Sequence, residues 1–412
     1  MAEKIRGNVL VGQSGGPTAV INASLCGVYQ TAKELGVNKV YGMLYGIQGL
    51  MEEKFIDLDE HIKNEMDVEL LKRTPSAYLG SCRYKLPSKE SSLEDYERIF
   101  KILVKLDVKY FFYIGGNDSM DTICKLSQYG EEINSDIRFI GIPKTIDNDL
   151  EVTDHTPGFG SAAKFIAATV KELVRDSLVY DIKSVTIIEI MGRNAGWLTG
   201  AAALAGERGV SGPDLIYLPE VTFDLDEFVS KVEELQKTKK SIVVAVSEGI
   251  KLKNGEYVCE STLSKDGSDS FGHGILSGTA NFLANYLKSK INTKTRGIEL
   301  NTLQRCAAHM ASLTDIREAH QIGGAGVTAA IQGETGKMMI FERFSSYPYL
   351  CTTSSYDVSK IANLEKKIPL SWIDREKVYV TEEFINYVKP LIGEEIQPVM
   401  AGGVPRHLVI ER

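Results

Sequence analysis

The run YFFYIGGNDS, Tyr110–Ser119, decides the architecture. Its continuous apolar start predicts a strand over Tyr110–Ile114. Gly115 and Gly116 end the strand, and a helical stretch follows from about Ser119 to Tyr129. A strand without polar alternation is covered on both faces, as in a parallel sheet flanked by helices. The theme recurs on either side. Asn8–Val11 (NVLV) runs into a glycine-rich turn and a helical pattern over Ala19–Leu35. Arg138–Pro143 (RFIGIP) runs into a polar loop and, after the Gly158–Gly160 turn, a helix over about Ser161–Leu178. Val185–Met191 (VTIIEIM) and Ser241–Ser247 (SIVVAVS) repeat the strand. Strand, turn and helix in succession predict an α/β fold with mostly parallel sheets. In such sheets ligands sit beyond the carboxyl ends of the strands, so the loops after strands are the candidate sites. A second α/β unit is expected to begin near Gly160, and the polar, Gly/Ser-rich segment around Asn254–Gly272 is expected to be a surface loop.

At roughly 150 residues per domain, 412 residues suggest about two to three domains. The hydrophobic fraction of 43% and charged fraction of 25% argue against a disordered, collagen-like or disulfide-scaffold chain. Lys and Arg against Asp and Glu give 47 − 55 = −8. That balance disfavours broad binding to nucleic acid or anionic membrane, but leaves room for an anionic substrate in a locally positive pocket. The 6 cysteines contain no CxxC pair, so neither a zinc ribbon nor a redox motif is indicated, and reduced thiols in a cytoplasmic protein are expected. The opening MAEKIRGNVLVG lacks the apolar core and cleavage site of a signal peptide. The apolar runs fall well short of the ~20 residues of a membrane span. Without HExxH or HxH a zinc site is not expected, and an α/β-hydrolase is not expected either.

Several strand-end loops carry chemistry. Gly12-Gln13-Ser14-Gly15-Gly16-Pro17 either cradles an anion between small residues and a helix N-terminus or is a tight turn without a ligand. It is neither a P-loop nor GxGxxG. Gly115-Gly116-Asn117-Asp118-Ser119 suits a phosphate or metal-phosphate site, or caps its helix through Asp118 or Ser119. Pro143-Lys144-Thr145-Ile146-Asp147-Asn148-Asp149 is the most unusual, joining a cation, a hydroxyl and two carboxylates. Asp147 and Asp149 at i, i+2 share one side of an extended segment, where one can abstract a proton while the other holds a metal or orients its partner. The competing reading is a solvated acidic turn. Arg193, in Met191-Gly192-Arg193, suits a bidentate phosphate contact, or is a surface arginine. Glu248 after the strand Ser241–Ser247 is either a sugar-hydroxyl acceptor or an ordinary strand-end carboxylate. Arg296 and Arg305 flank another apolar stretch.

Taken in order, these motifs resemble the phosphofructokinase family from about Gly7 to about Arg305. The markers are the SGG turn at Ser14–Gly16, GSCR at Gly80–Arg83, GGNDS at Gly115–Ser119, PKTIDND at Pro143–Asp149, MGR at Met191–Arg193, SEG at Ser247–Gly249 and LQR at Leu303–Arg305. The resemblance implies two Rossmann-like, doubly wound α/β domains with the active site in the cleft between them. It implies phosphoryl transfer to the 1-hydroxyl of fructose 6-phosphate, with Mg²⁺ as cofactor. The donor domain is expected over residues 1–160, completed by part of 305–355. The sugar-phosphate domain is expected over residues 161–304, completed by part of 356–412.

The resemblance also implies roles. Asp147 is the expected general base, Asp149 its support through the metal, and Thr145 a contact to the transferring group. Gly15, Gly16 and Arg83 are expected to bind the donor, and Lys144 to neutralise charge in the transition state. Met191, Gly192, Arg193, Glu248, Arg296, Thr302 and Arg305 resemble the sugar-phosphate site. One arginine of this set crosses from a neighbouring subunit in the family; Arg296 is the candidate, so a homodimer or homotetramer is expected. Some positions depart from the pattern. Asn117 stands where the family has a metal-binding aspartate, with Asp118 as the alternative ligand. Thr302 stands where histidine or tyrosine is usual, and Lys183 or Ser184 near an expected arginine. Cys26 and Gln30 occupy places where ATP-dependent members carry effector-site arginines, so no nucleotide allostery is expected there.

The donor turns on two positions. ATP-using relatives have glycine where this chain has Asp118 and Lys144, and these two residues resemble the pyrophosphate-dependent branch. A carboxylate where a nucleotide's α-phosphate would lie repels it. At about 4 Å and an effective dielectric near 20 the repulsion is roughly 4 kcal/mol, on the order of 10³-fold against ATP. Pyrophosphate is therefore the expected donor. The competitors are an ATP-dependent enzyme of the same fold, a nicotinamide-dependent oxidoreductase using the GxGxxA turn at Gly158–Ala163, and a catalytically silent subunit. The second lacks a strand directly before its glycines; retention of Lys144, Thr145, Asp147 and Arg193 argues against the third.

Overall fold

The computed structural model describes residues 7–206, 212–261, 278–361 and 364–410. The strands that position the loops are β1 (Asn8–Gln13), β2 (Val40–Met43), β3 (Phe55–Asp57), β4 (Val108–Gly115) and β5 (Arg138–Pro143). After them come β6 (Ser184–Ile190), β7 (Leu215–Tyr217), β8 (Ser241–Ser247) and β9 (Lys294–Glu299), then the hairpin β10 (Lys337–Ser346) and β11 (Tyr349–Asp357).

The first sheet has the order β11-β10-β5-β4-β1-β2-β3. Its centre is parallel; β3 and β11 add antiparallel edges. The second sheet, β7-β8-β6-β9, is parallel throughout. The aromatic run of β4 shows why its sequence does not alternate. Phe112 and Ile114 enter the core on one face, Phe111 and Tyr113 the core on the other. Phe111 and Phe112 have no exposed surface, and burial of each is worth roughly 2–3 kcal/mol. The second sheet is likewise cored on both faces, with Ile188 and Val243 on one side and Ile187 and Val244 on the other.

Helices connect the parallel strands. Ile21–Glu34 follows β1, Asn117–Glu132 follows β4 and Phe159–Ser177 follows the loop after β5. The last two begin two residues earlier than the sequence reading, because Gly116 and Gly158 serve as their caps. The helix Leu313–Ile331 returns to the first sheet and packs on Ile21–Glu34. A methyl group on Gly27 would lie 2.0 Å from the His320 carbonyl oxygen, so the two backbones touch only because that position is glycine.

The C-terminal stretch folds against the second unit. Phe384, Tyr387, Val388 and Leu391 share a core with Phe159, Trp197 and Val243, while Leu408 and Ile410 return to the core of the first sheet. The expected surface loop at Asn254–Gly272 needs correction where it is visible. Asn254–Glu256 is an exposed turn, but Val258 is buried in the second unit's core and Cys259 beside it is buried too, because apolar residues dock where they leave water. Residues 262–272 of that reading lie outside the described residues.

Candidate active site

Parallel strands direct their carboxyl ends one way, and the carboxyl ends of β1, β4 and β5 face those of β6, β8 and β9 across a cleft of about 870 Å³. In the first sheet the strand order switches direction at β1 and β4, the place where a crevice opens in such sheets. Both glycine turns, Gly12–Pro17 and Gly115–Ser119, stand there.

The first-sheet wall is stitched together by its backbone. Ser14 N donates to Ile114 O at 3.0 Å, Gly15 N to Cys82 O at 3.1 Å, and Lys144 N to Gly115 O at 3.0 Å. Gly15 has φ 77°, in the left-handed region where a side chain is strained, and a methyl group there would lie 3.3 Å from Lys144 Nζ. The Ser14 and Ser119 hydroxyls bond each other across the switch point. Asn117 and Asp118 occupy the first turn of their helix, and no side chain caps it. The cap reading for Asp118 and Ser119 is thereby replaced: Gly116 is the cap. Asp118 instead lines the cleft, with Lys85 Nζ at 3.8 Å. Asn117 also lines the cleft, and its Oδ1 is buried without a hydrogen-bond partner among the described residues.

The loop after β5 is no solvated turn. Lys144 is 2% exposed and donates to Gly16 O at 2.6 Å. Burial lowers its ammonium pKa to about 8, against the pull of Asp147 and Asp149. Asp147 and Asp149 are half-buried and both line the cleft. Thr145 Oγ1 accepts from Asp147 N at 3.1 Å. Burial raises the Asp147 carboxyl; Lys144 opposes the shift and Glu365 adds to it. Asp149 rises to about 7 through burial and the charges of Asp147 and Glu365.

The opposite wall comes from the second sheet. Gly192 N donates to Glu248 Oε1 at 3.3 Å, Ser247 Oγ to Gly192 O, and Met191 N to Gln304 Oε1 at 3.2 Å. The MGR, SEG and LQR turns therefore form one cross-linked surface. Glu248 is raised to about 8, by burial first and Asp147 next. Arg305 reaches over the first-sheet wall: a methyl group on Gly16 would lie 3.1 Å from its Nη1.

Of the residues singled out from sequence, Gly15, Gly16, Arg83, Asn117, Asp118, Lys144, Thr145, Asp147, Asp149, Met191, Arg193, Glu248, Thr302 and Arg305 line this one cleft. Gly192, between Met191 and Arg193 in the chain, is not among the lining residues. Arg296 does not join them; it is exposed on the edge strand β9. Lys183 is exposed at the amino end of β6, opposite the cleft. Cys26 is fully buried, and Gln30 is hydrogen-bonded to His320 at 2.8 Å.

A family model described as phosphofructokinase matches residues 8–329. The chain belongs to the phosphofructokinase family. It is 39% identical to a pyrophosphate--fructose 6-phosphate 1-phosphotransferase of Methylococcus capsulatus, over 98% of this chain and 96% of that one. It is 40% identical to the protein of the same name from Xanthomonas campestris, with the same shares covered. Its structure is similar to the crystal structure of a pyrophosphate-dependent phosphofructokinase from Marinobacter aquaeolei, at TM-score 0.86 and 36% identity over 98% of each chain.

Within this phosphofructokinase cleft, sequence reading missed Glu365 and Asn194. Both line it, and Asn194 Nδ2 donates to Glu365 Oε1 at 3.0 Å. Asn194 directly follows MGR, a signal that was available. Glu365 comes from a stretch without a motif, and nothing local marks it. Ser14 was visible within its turn, but its pairing with Ser119 was not.

Proposed function

We propose that the chain transfers a phosphoryl group from pyrophosphate to the 1-hydroxyl of fructose 6-phosphate, reversibly, giving fructose 1,6-bisphosphate and phosphate. The observation that carries the reading is the pair Asp118 and Lys144 on the cleft wall that also holds Gly15, Gly16 and Arg83. A carboxylate on that wall repels the α-phosphate of a nucleotide, while a buried ammonium holds the small inorganic donor. The names of the Methylococcus capsulatus and Xanthomonas campestris relatives agree with this donor.

The chemistry follows from the side chains. Asp147 takes the proton of the sugar 1-hydroxyl as its oxygen attacks the terminal phosphorus. Burial raises this carboxyl, which brings a general base closer to neutral pH. The bond from that phosphorus to the bridging oxygen breaks, and phosphate leaves. Lys144, Arg83 and the Gly15–Gly16 backbone offset the charge on the transferring and leaving groups, the main task in phosphoryl transfer. Thr145 contacts the transferring group. Arg193, Arg305 and Thr302 hold the sugar phosphate, with Met191, Gly192 and Glu248 on its hydroxyls. Arg296, exposed and outside its own cleft, reaches the site of a second copy in a homodimer or homotetramer.

Asn117 and Asp149 fit Mg²⁺: a buried carbonyl oxygen without a donor among the described residues and a carboxylate in the same cleft are ligands for a hard cation. Mg²⁺ bound there would neutralise phosphate oxygens. We assign the donor to the unit of residues 1–160 with part of 305–355, supported by the pairing of β10 with β5. The sugar phosphate belongs to residues 161–304 with part of 356–412, supported by the packing of Phe384 and Tyr387 on Trp197. No helix among the described residues is long and apolar enough to cross a membrane, and we place the activity in the cytoplasm.

Initial rates with pyrophosphate and with ATP, at fixed Mg²⁺, test the reading. Pyrophosphate is expected to support turnover far better. Asp118→Gly should raise the use of ATP, by up to about 10³-fold if the full repulsion is relieved. Unchanged discrimination in that variant would remove the donor argument.

A further inference from the structure

The loop that carries the two cleft aspartates is held from behind. Asn148 lies between them, fully buried, at φ 54° in the left-handed region. Asp147 and Asp149 line the cleft; Asn148 does not. Its amide is bonded at both ends. Oδ1 accepts from Thr156 N at 3.1 Å, and Nδ2 donates to the Tyr387 hydroxyl at 2.9 Å. That hydroxyl donates onward to Asp154 O at 2.5 Å. Thr156 closes the loop from its other side, Oγ1 donating to Thr145 O at 2.8 Å.

Tyr387 itself has little room to move. Its ring centroid lies 5.3 Å from that of Trp197 and 5.4 Å from that of Trp372. Arg343 stacks 4.5 Å from the ring centre, donates to Tyr387 O at 2.8 Å and pairs with Asp154 at 2.7 Å. A phenolic oxygen that accepts from one fixed partner and donates to another has a fixed orientation. The tyrosine comes from the helix Glu382–Val388, far along the chain from the loop it touches.

We propose that Tyr387 is a positioning residue for phosphoryl transfer: its hydroxyl, acting through the Asn148 amide, sets the aim of Asp147 and Asp149 into the cleft. The proposal rests on the base role assigned to Asp147 above. With the amide released, the left-handed turn between the carboxylates relaxes. A displacement of about 1 Å at a reacting group costs up to roughly 10²-fold in rate.

The test uses Tyr387→Phe in the full chain, which keeps the ring in its aromatic cluster and deletes only the hydroxyl. Saturating kcat is expected to fall about tenfold or more, while KM for fructose 6-phosphate and for pyrophosphate changes far less. Asn148→Gly keeps the left-handed backbone without strain and should lose kcat alike. The double variant should fall no further than either single one, the mark of two groups acting as a unit. Wild-type kcat in Tyr387→Phe, or losses that multiply in the double variant, overturns the proposal. Should Tyr387→Phe fold poorly, Asn148→Gly decides it, and wild-type kcat there is the overturning result. The wild-type chain run alongside separates the two claims. No turnover of fructose 6-phosphate with either donor sinks the reading of the site and this proposal with it; an active wild type with unchanged variants sinks this proposal alone.

Discussion

Lys144 concentrates the physics of the donor wall in one side chain. It is buried, bonded to Gly16 O and flanked by the charges of Asp147, Arg305 and Asp149. Burial outweighs the carboxylates, so the ammonium loses its proton near pH 8 rather than in the usual lysine range. On the proposed reading the charged form holds pyrophosphate, and it prevails below that pKa. The expected outcome is a kcat/KM for pyrophosphate that falls as pH rises through about 8, read from a pH–rate profile of the free enzyme. A flat profile to pH 10, the ordinary lysine pKa being about 10.4, would show that the ammonium is not depressed or not needed.

Turns form the second-sheet wall of the cleft because they lock into one another. Gly249 packs on the MGR turn so tightly that a methyl group would lie 1.8 Å from the Arg193 carbonyl oxygen. Backbone meets backbone there, and no side chain can swing aside. Gly249→Ala should therefore push the MGR turn off the SEG turn, at a cost of about 1–3 kcal/mol. A lowered melting temperature with a raised KM for fructose 6-phosphate is the expected signature. An unchanged KM would mean that the turn yields without moving Arg193. The SGG, GGNDS, PKTIDND, MGR and SEG segments were readable because each needs particular residue types within a few positions. Strand β9, LysThrArgGlyIleGlu over residues 294–299, was not, because its exposed edge carries charge where a buried strand carries apolar groups.

The whole molecule exposes Arg296 on that edge, together with Leu178, Val179, Tyr180 and Ile182 before the neighbouring strand β6. If Arg296 serves the cleft of a second copy, two defective chains can repair each other. Asp147→Ala alone should nearly abolish turnover, and Arg296→Ala alone should strongly weaken it. A co-expressed mixture should regain activity, because a hybrid dimer holds one site with Asp147 from one chain and Arg296 from the other. For random pairing the recovery is about a quarter of wild-type activity. Activity no higher than the sum of the two separate variants would confine Arg296 to its own subunit.

The sequence by itself determined the parallel α/β architecture, since runs buried on both faces are apolar throughout and glycines punctuate them. It also determined the chemistry of the first-sheet wall, because Lys144, Thr145, Asp147 and Asp149 are neighbours in the chain and need no fold to bring them together. Only the tertiary structure decided that Glu365 stands beside those carboxylates and that Tyr387 braces the loop between them. It alone also decided that Arg296 is exposed and outside the lining of its own cleft. Periodicity and turn chemistry are local signals, whereas a contact between residues some 240 positions apart arises from packing two sheets and a returning C-terminal segment, and that leaves no mark on either neighbourhood.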